Sequence, residues 1–448
     1  MFNLFTFLSK VDAFFWSYVG FSLILLLGCY FTIKTRFFQI RAIPSVVGSF
    51  FGFLRNKDLS TKGVHPLKAF FASVGGTVGV GNVVGIITAL QLGGPGAIFW
   101  AWIAAFLGSL IKYSEIFLGL KYRKPNRWGG YDGGSIYFLQ KAFGIRWIGT
   151  VISILLCIYG AEVYQFSVLS HTLAVNWNLN KLFVSVCLLG AIGYAIVGGI
   201  HRVGKICALL MPAFIMIYVG MSLWVIGHHV GELPFLLKEI FRSAFSGHAA
   251  VGGFAGSSII LALQHGTARS IYSADIGIGY DSIIQSETKA QEITKQARLA
   301  ILGVFIDASI CTLTLFVALT SGLWKASPSI DPSLVIQTAF SAYIPYQSVF
   351  MTLLLFVLVY TTLVSYLFVG LKCARYLHDK HGEKIYLCLA ALFLLTFSFF
   401  DQSKALLVMS LSGCLLMSIN LLGIFRLRHE IPFEALSASK RSAQKTSI

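Results

Sequence analysis

Long apolar runs separated by short, mostly basic loops dominate the chain. A run of about 20 apolar residues crosses a ~30 Å hydrocarbon core as a helix. Runs bounded by charges or turn residues predict eleven such helices: 12–33, 66–90, 96–120, 147–171, 182–200, 204–228, 247–271, 299–322, 346–371, 385–400 and 405–425. No Pro/Ser-rich linker interrupts the alternation, so 1–436 reads as one all-α membrane domain and 437–448 as a polar cytoplasmic tail. No small-residue cleavage site follows the first run, which is expected to be a retained N-terminal helix.

The second predicted helix carries Gly75-Gly76-Thr77-Val78-Gly79-Val80-Gly81-Asn82 near its centre, four glycines and an asparagine within eight residues. Each internal Gly costs about 1 kcal/mol relative to Ala, so a straight lipid-facing helix gains nothing from them. Unwound backbone at membrane depth is tolerated where it is buried in protein or lines a cavity. There its freed carbonyls hold a cation and half-helix N-termini hold a carboxylate, as an amino-acid and sodium site requires. Gly81-x-x-x-Gly85 equally suits close helix packing, and the two uses are compatible. A dinucleotide loop at Gly79-x-Gly81 fails for want of a surrounding sheet pattern and a following acid. A second glycine-rich stretch, Gly252-Gly253-Phe254-Ala255-Gly256, lies five spans later. With the first helix set aside, 66–228 and 247–425 are two sets of five. Five is odd, so the sets have inverted topologies, and matching breaks point to a midplane site.

Composition narrows the class. The chain is 56% hydrophobic and 12% charged, against about a quarter charged in soluble domains. Its net charge of +17 sits on basic residues scattered singly in loops, which excludes a nucleic-acid face. With the N-terminus outside and the C-terminus cytoplasmic, 28 of the 35 basic residues fall inside and 6 outside, with Lys112 within a span. The eight cysteines stand singly, without metal-ligand spacing, so buried thiols are expected and neither disulfide nor zinc.

Several polar residues interrupt the spans. An intramembrane carboxylate marks a functional site by default; Glu162 either serves one or snorkels to the outer interface. Lys112 and Glu115, three residues apart, are expected to form a structural pair. Asp307 is expected to pair with a neighbouring helix, the ion path being its other reading. Regular charged rings and repeated filter loops, as a channel needs, are absent. His171, His201 and His265 lie on separate helices, so no catalytic pairing points to an enzyme.

The ordered set Gly79-Val80-Gly81-Asn82, Leu92-Gly93-Gly94-Pro95-Gly96-Ala97, Phe99-Trp100, Lys112-Tyr113-Ser114-Glu115, Gly198-Gly199-Ile200-x-Arg202-x-Gly204, Gly252-Gly253-Phe254-Ala255-Gly256 and Gly303-Val304-Phe305-Ile306-Asp307 resembles the alanine or glycine:cation symporter family over nearly the whole chain. The resemblance implies a leucine-transporter-type fold of five plus five inverted helices with two broken helices. It further implies sodium-coupled import of a small neutral amino acid, alanine or glycine, across the inner or plasma membrane. No cofactor beyond the coupling sodium is implied, and a monomer is compatible with it. By similarity, Gly76, Thr77, Gly79, Gln165, Phe254, Gly256 and Tyr366 would face the substrate. Sodium would lie between Gly75, Val78, Thr361 and Thr362, although both threonines also suit bonding to a carbonyl of their own helix. Proton coupling through Glu162 or Asp307 is the same-fold alternative. Where the family shows Ser-Asn-Glu-Ala-Gly, this chain reads Ser273-Ala274-Asp275-Ile276-Gly277, and Tyr366 replaces a family tryptophan beside Ser365. Tyr366 is expected to widen the range of accepted side chains.

Overall fold

In hydrocarbon the backbone has no water to bond, so apolar runs fold as helices that satisfy their own polar groups. The computed structural model describes residues 4–55, 62–127, 129–246, 248–249, 255–257, 259–326, 332–345, 347–400 and 402–433, and the sheet in them amounts to two short antiparallel pairs. Helix α1 runs over Leu4–Lys34. The second predicted span is two helices, α2 (Pro66–Thr77) and α3 (Gly81–Gly93), bent by 49° where the glycines cluster. His65 caps α2 by accepting from the Leu67 amide, and Pro66 occupies the first turn, where its missing N–H costs nothing.

The chain continues with α4 (Gly96–Lys121), α5 (Ser135–Phe143), α6 (Ile148–Tyr159), α7 (Val163–Asn176), α8 (Lys181–Val197) and α9 (Gly199–Gly227). After α10 (Leu233–Ser246) come α11 (Ile259–Ser273), α12 (Tyr280–Ser286), α13 (Ile293–Ser321), α14 (Pro332–Ser341), α15 (Gln347–Leu377), α16 (Gly382–Phe397) and α17 (Ser403–Arg426). Among the described residues six helices and the α6–α7 run are long and apolar enough to cross a membrane, and the bent α2–α3 pair makes an eighth. The predicted spans 182–200, 247–271 and 385–400 appear as α8, α11 and α16, of 17, 15 and 16 residues, each shorter than the ~20 residues of a full crossing.

Two helices form the centre. In α4, 89% of the most apolar stretch is buried, and in α15 83%, against 22% in α1 and 28% in α9. Helix α4 packs on α1, α11 and α13, while α15 packs on α2, α6 and α9. Small residues of α4, among them Ala101, Ala104, Ala105 and Gly108, admit these neighbours closely.

The second expected break, at 252–256, lies largely outside the described residues. Gly252, Gly253 and Phe254 fall outside the described residues, and Gly256 stands in a short strand, Ala255–Ser257, that precedes α11. The described residues show a further interruption at 274–279, between α11 and α12, where Asp275, Gly277 and Gly279 take left-handed backbone at φ 47°, 78° and 98°. The fourth predicted span is also broken, between Tyr159 and Val163, with Glu162 at φ 46°. Left-handed backbone is uncommon for residues other than glycine and clusters at functional sites; Glu162 and Asp275 both stand where helices are interrupted.

Candidate functional site

The α2–α3 break, the α6–α7 break and the end of α11 surround one cavity of about 250 Å³. Gly76, Thr77, Gly79, Glu162, Gln165 and Tyr366 line it, as do Arg269, Tyr272 and Ser273 of α11. Five of the seven residues expected to face a substrate are thus brought together, and Phe254 lies outside the described residues.

At the first break the chain turns extended at Val78, with ψ 101°. Asn82 holds the turn: its Oδ1 accepts from the Gly79 amide at 3.0 Å, and its Nδ2 donates to Asp307 at 2.5 Å. Ser273 Oγ donates to the same Asp307 oxygen at 2.8 Å. Asp307 of α13 therefore joins α3 to the end of α11, the inter-helix pairing expected of it. Gly79 must lack a side chain, because a Cβ there would sit 2.8 Å from Gln165 Oε1 and 3.1 Å from Thr362 Oγ1.

The two threonines of α15 behave differently. Thr361 bonds carbonyls of its own helix, Val357 at 2.8 Å and Leu358 at 3.0 Å, and touches Met211 Sδ at 3.4 Å. Thr362 Oγ1 lies 2.9 Å from Leu358 O but also reaches the unwound segment, 3.1 Å from Gly75 O and 3.4 Å from Val78 O. One hydroxyl proton faces three carbonyl oxygens, so the cluster has acceptors to spare.

Opposite it, Gln165 Nε2 donates at 2.8 Å to Glu162, three residues earlier on the chain. Gln165 Oε1 is buried without a donor. Glu162 sits at the break between α6 and α7, beside the cavity.

Four buried charges form a second cluster behind the α11–α12 break, and here the expected Lys112–Glu115 pair is corrected. Lys112 Nζ instead meets Asp281 Oδ2 at 2.7 Å, Ala274 O at 2.8 Å and Asp275 O at 2.7 Å. Its three protons thus find three acceptors on the segment it faces. Glu115 accepts from Asn420 Nδ2 at 3.0 Å and from the Gly279 amide at 3.2 Å. Asp275 accepts from Tyr159 Oη at 2.8 Å and from Tyr366 Oη. The Tyr366 ring lies on Tyr280, centroids 4.1 Å apart at 17°.

Arg269 is also relocated. It is counted among the 28 inside basic residues although the predicted span 247–271 contains it; it is on α11, with its guanidinium against Gly81 and Gly85 at the cavity wall. A lone basic residue near the end of an apolar run looks the same in either position. Asp275 and Asp281 flanking Gly277-x-Gly279 were the available signal for the second cluster, since acids are expensive inside a membrane.

Broken helices packed around a small polar cavity in a bundle of apolar helices define a multi-pass membrane transporter. The chain belongs to the sodium:alanine symporter family, whose model matches residues 1–446. Similar curated proteins include an uncharacterized transporter of Haemophilus influenzae, 32% identical over 85% of this chain and 84% of that one. Another is the sodium/alanine symporter AgcS of Methanococcus maripaludis, 28% identical over 84% of each chain. Among solved structures, a Na+-coupled sialic acid symporter shares the fold with a TM-score of 0.57 at 14% identity, over 92% of this chain and 87% of that one. The protein is a transporter and not an enzyme.

Proposed function

We propose that the protein imports a small neutral amino acid, alanine or glycine, by sodium-coupled symport with alternating access. The reading rests on the oxygen surplus at the first break, where Thr362 Oγ1 stands among the carbonyls of Gly75, Val78 and Leu358. A hard cation satisfies such a cluster, because unwound carbonyls replace the oxygens of its hydration shell. Thr361 contributes less, since its hydroxyl is spent on its own helix. The adjoining cavity, with Gly76, Thr77, Gly79, Gln165 and Tyr366 in its wall, takes the amino acid. Sodium binds first and orders the α2–α3 break, the amino acid follows, and one helix bundle rocks against the other. The similarity to a protein named as a sodium/alanine symporter supports this reading.

We infer that the N-terminus is outside and the C-terminus cytoplasmic. Taking Arg269 out of the loops leaves 27 basic residues inside to 6 outside, so the bias survives.

Uptake of labelled alanine into proteoliposomes, driven by an inward sodium gradient and compared with an equal potassium gradient, tests the coupling. Sodium-driven accumulation that Thr362→Val reduces at least about tenfold, the worth of one charge-assisted contact, is the expected result. Uptake that ignores sodium and follows a pH gradient would instead move coupling to Glu162 or Asp307, two carboxylates with no cation in ion-pair contact among the described residues.

A further inference from the structure

One cation at the cavity has no counter-ion in contact among the described residues. Arg269 makes no ion pair or hydrogen bond among the described residues, and its Nε is buried without an acceptor. Its guanidinium lies on the first turns of α3: a Cβ at Gly81 would come within 2.2 Å of Nη2, and one at Gly85 within 2.4 Å. Two glycines are therefore needed to admit it. A helix begins at that point, and a helix N-terminus carries about half a positive charge, so the guanidinium rests against a pole of its own sign. Asp307 attracts it through space, yet no described carboxylate pairs with it in direct contact. Asp307 is held by Asn82 and Ser273, and Glu162 by Gln165, and neither reaches Arg269. An unpaired guanidinium inside a membrane bundle is expensive unless something enters to pair with it.

The other wall has the opposite need. Gln165 Oε1 is a buried acceptor without a donor, and Glu162 adjoins it with a carboxylate. The cavity between, about 250 Å³, is below the ~300–1,000 Å³ of drug-sized pockets and suits a ligand of few heavy atoms. We propose that Arg269 takes the α-carboxylate of the transported amino acid, and that Gln165, with Glu162 behind it, takes the α-ammonium. The proposal rests on this cavity being the substrate site. The zwitterion then supplies the anion that Arg269 and the α3 terminus lack and the donor that Gln165 lacks. Because both charges of every α-amino acid are engaged, Arg269 selects for the backbone of the substrate and not for its side chain.

Equilibrium binding to the purified full chain in sodium, with glycine, alanine, serine, glutamine and L-alaninamide as probes, tests the assignment. Alaninamide keeps the ammonium and lacks the carboxylate, so the wild type binds alanine more tightly. Arg269→Gln is expected to weaken alanine about 10- to 100-fold, the range of hydrogen bonds to charged groups, and to leave alaninamide unchanged. Arg269→Lys falls between, and Gln165→Leu weakens both ligands together. If Arg269→Gln weakens both equally, or neither, the carboxylate assignment is overturned while the transporter reading stands. Repeating the assay in gluconate separates the other anion: alanine binding that requires chloride in the wild type, with the alanine-to-alaninamide ratio unchanged in Arg269→Gln, assigns Arg269 to chloride and also overturns it. A folded wild type that binds none of the amino acids overturns both this assignment and the substrate reading of the cavity.

Discussion

Tyr366 joins two surfaces with one side chain, its ring flat on Tyr280 and its hydroxyl bonded to Asp275. Asp275 holds a strained left-handed backbone at φ 47°, and Tyr159 supplies its other donor at 2.8 Å. The shorter carboxylate and the hydroxyl-bearing ring that distinguish this chain from its family's usual pattern are thus in direct contact. A tryptophan at 366 has no hydroxyl to offer, and its N–H sits elsewhere on a larger ring. The hydroxyl is accordingly committed to the protein, and the expectation that Tyr366 broadens side-chain selection gives way to a positioning role. Tyr366→Phe keeps the stack and removes one donor from a buried carboxylate, an expected loss of about 1–3 kcal/mol. Denaturation in mixed micelles should read that loss, while competition by serine and threonine against alanine uptake stays as in the wild type. A shifted competition profile at unchanged stability would show that the hydroxyl faces the substrate instead.

Lys112 acts at the scale of elements, because its ammonium on α4 gathers Asp281 of α12 and the carbonyls of 274 and 275 at the α11–α12 break. The freed carbonyls that a broken helix ordinarily offers to an ion are here bonded by a cation belonging to the chain. Removing one partner of a buried ion pair costs about 3–5 kcal/mol, since the other is left charged and unpaired. Lys112→Met should therefore yield little monodisperse protein in size-exclusion chromatography, and adding Asp281→Asn should restore part of it. No recovery in the double variant would place the worth of Lys112 in the carbonyl contacts alone. The first break is legible in the chain because four glycines crowd into eight residues. At 274–279 only Gly277 and Gly279 mark the break, and Asp275 supplies the third left-handed residue, so glycine density does not reveal it. Between α6 and α7 Glu162 turns the chain with no glycine cluster at all. Apolar periodicity places helices well, but it cannot tell a cation facing a cavity from one at the interface, which is why Arg269 reads as a loop residue and Lys112 as a neighbour of Glu115.

Across the whole molecule the proposed cation position is shared between elements far apart in the chain, since Gly75 and Val78 belong to the α2–α3 break and Thr362 to α15. A ligand that binds only this assembled arrangement stabilises it by mass action, about 2.7 kcal/mol at a hundred times its dissociation constant. Replacing potassium by sodium at constant ionic strength should therefore raise the melting temperature of the detergent-purified protein. Alanine added in sodium should raise it further, and alanine added in potassium much less, because binding of one ligand that orders the break favours binding of the other by the same factor. Thr362→Val should keep the melting temperature measured in potassium and lose the sodium increment, since valine fills the same volume without an oxygen. The bond to Leu358 lies within α15, and its removal leaves that helix intact. Equal melting in the two salts, with alanine still stabilising in both, would take the cation away from this oxygen cluster and leave the cavity with its polar wall as a site that works without sodium.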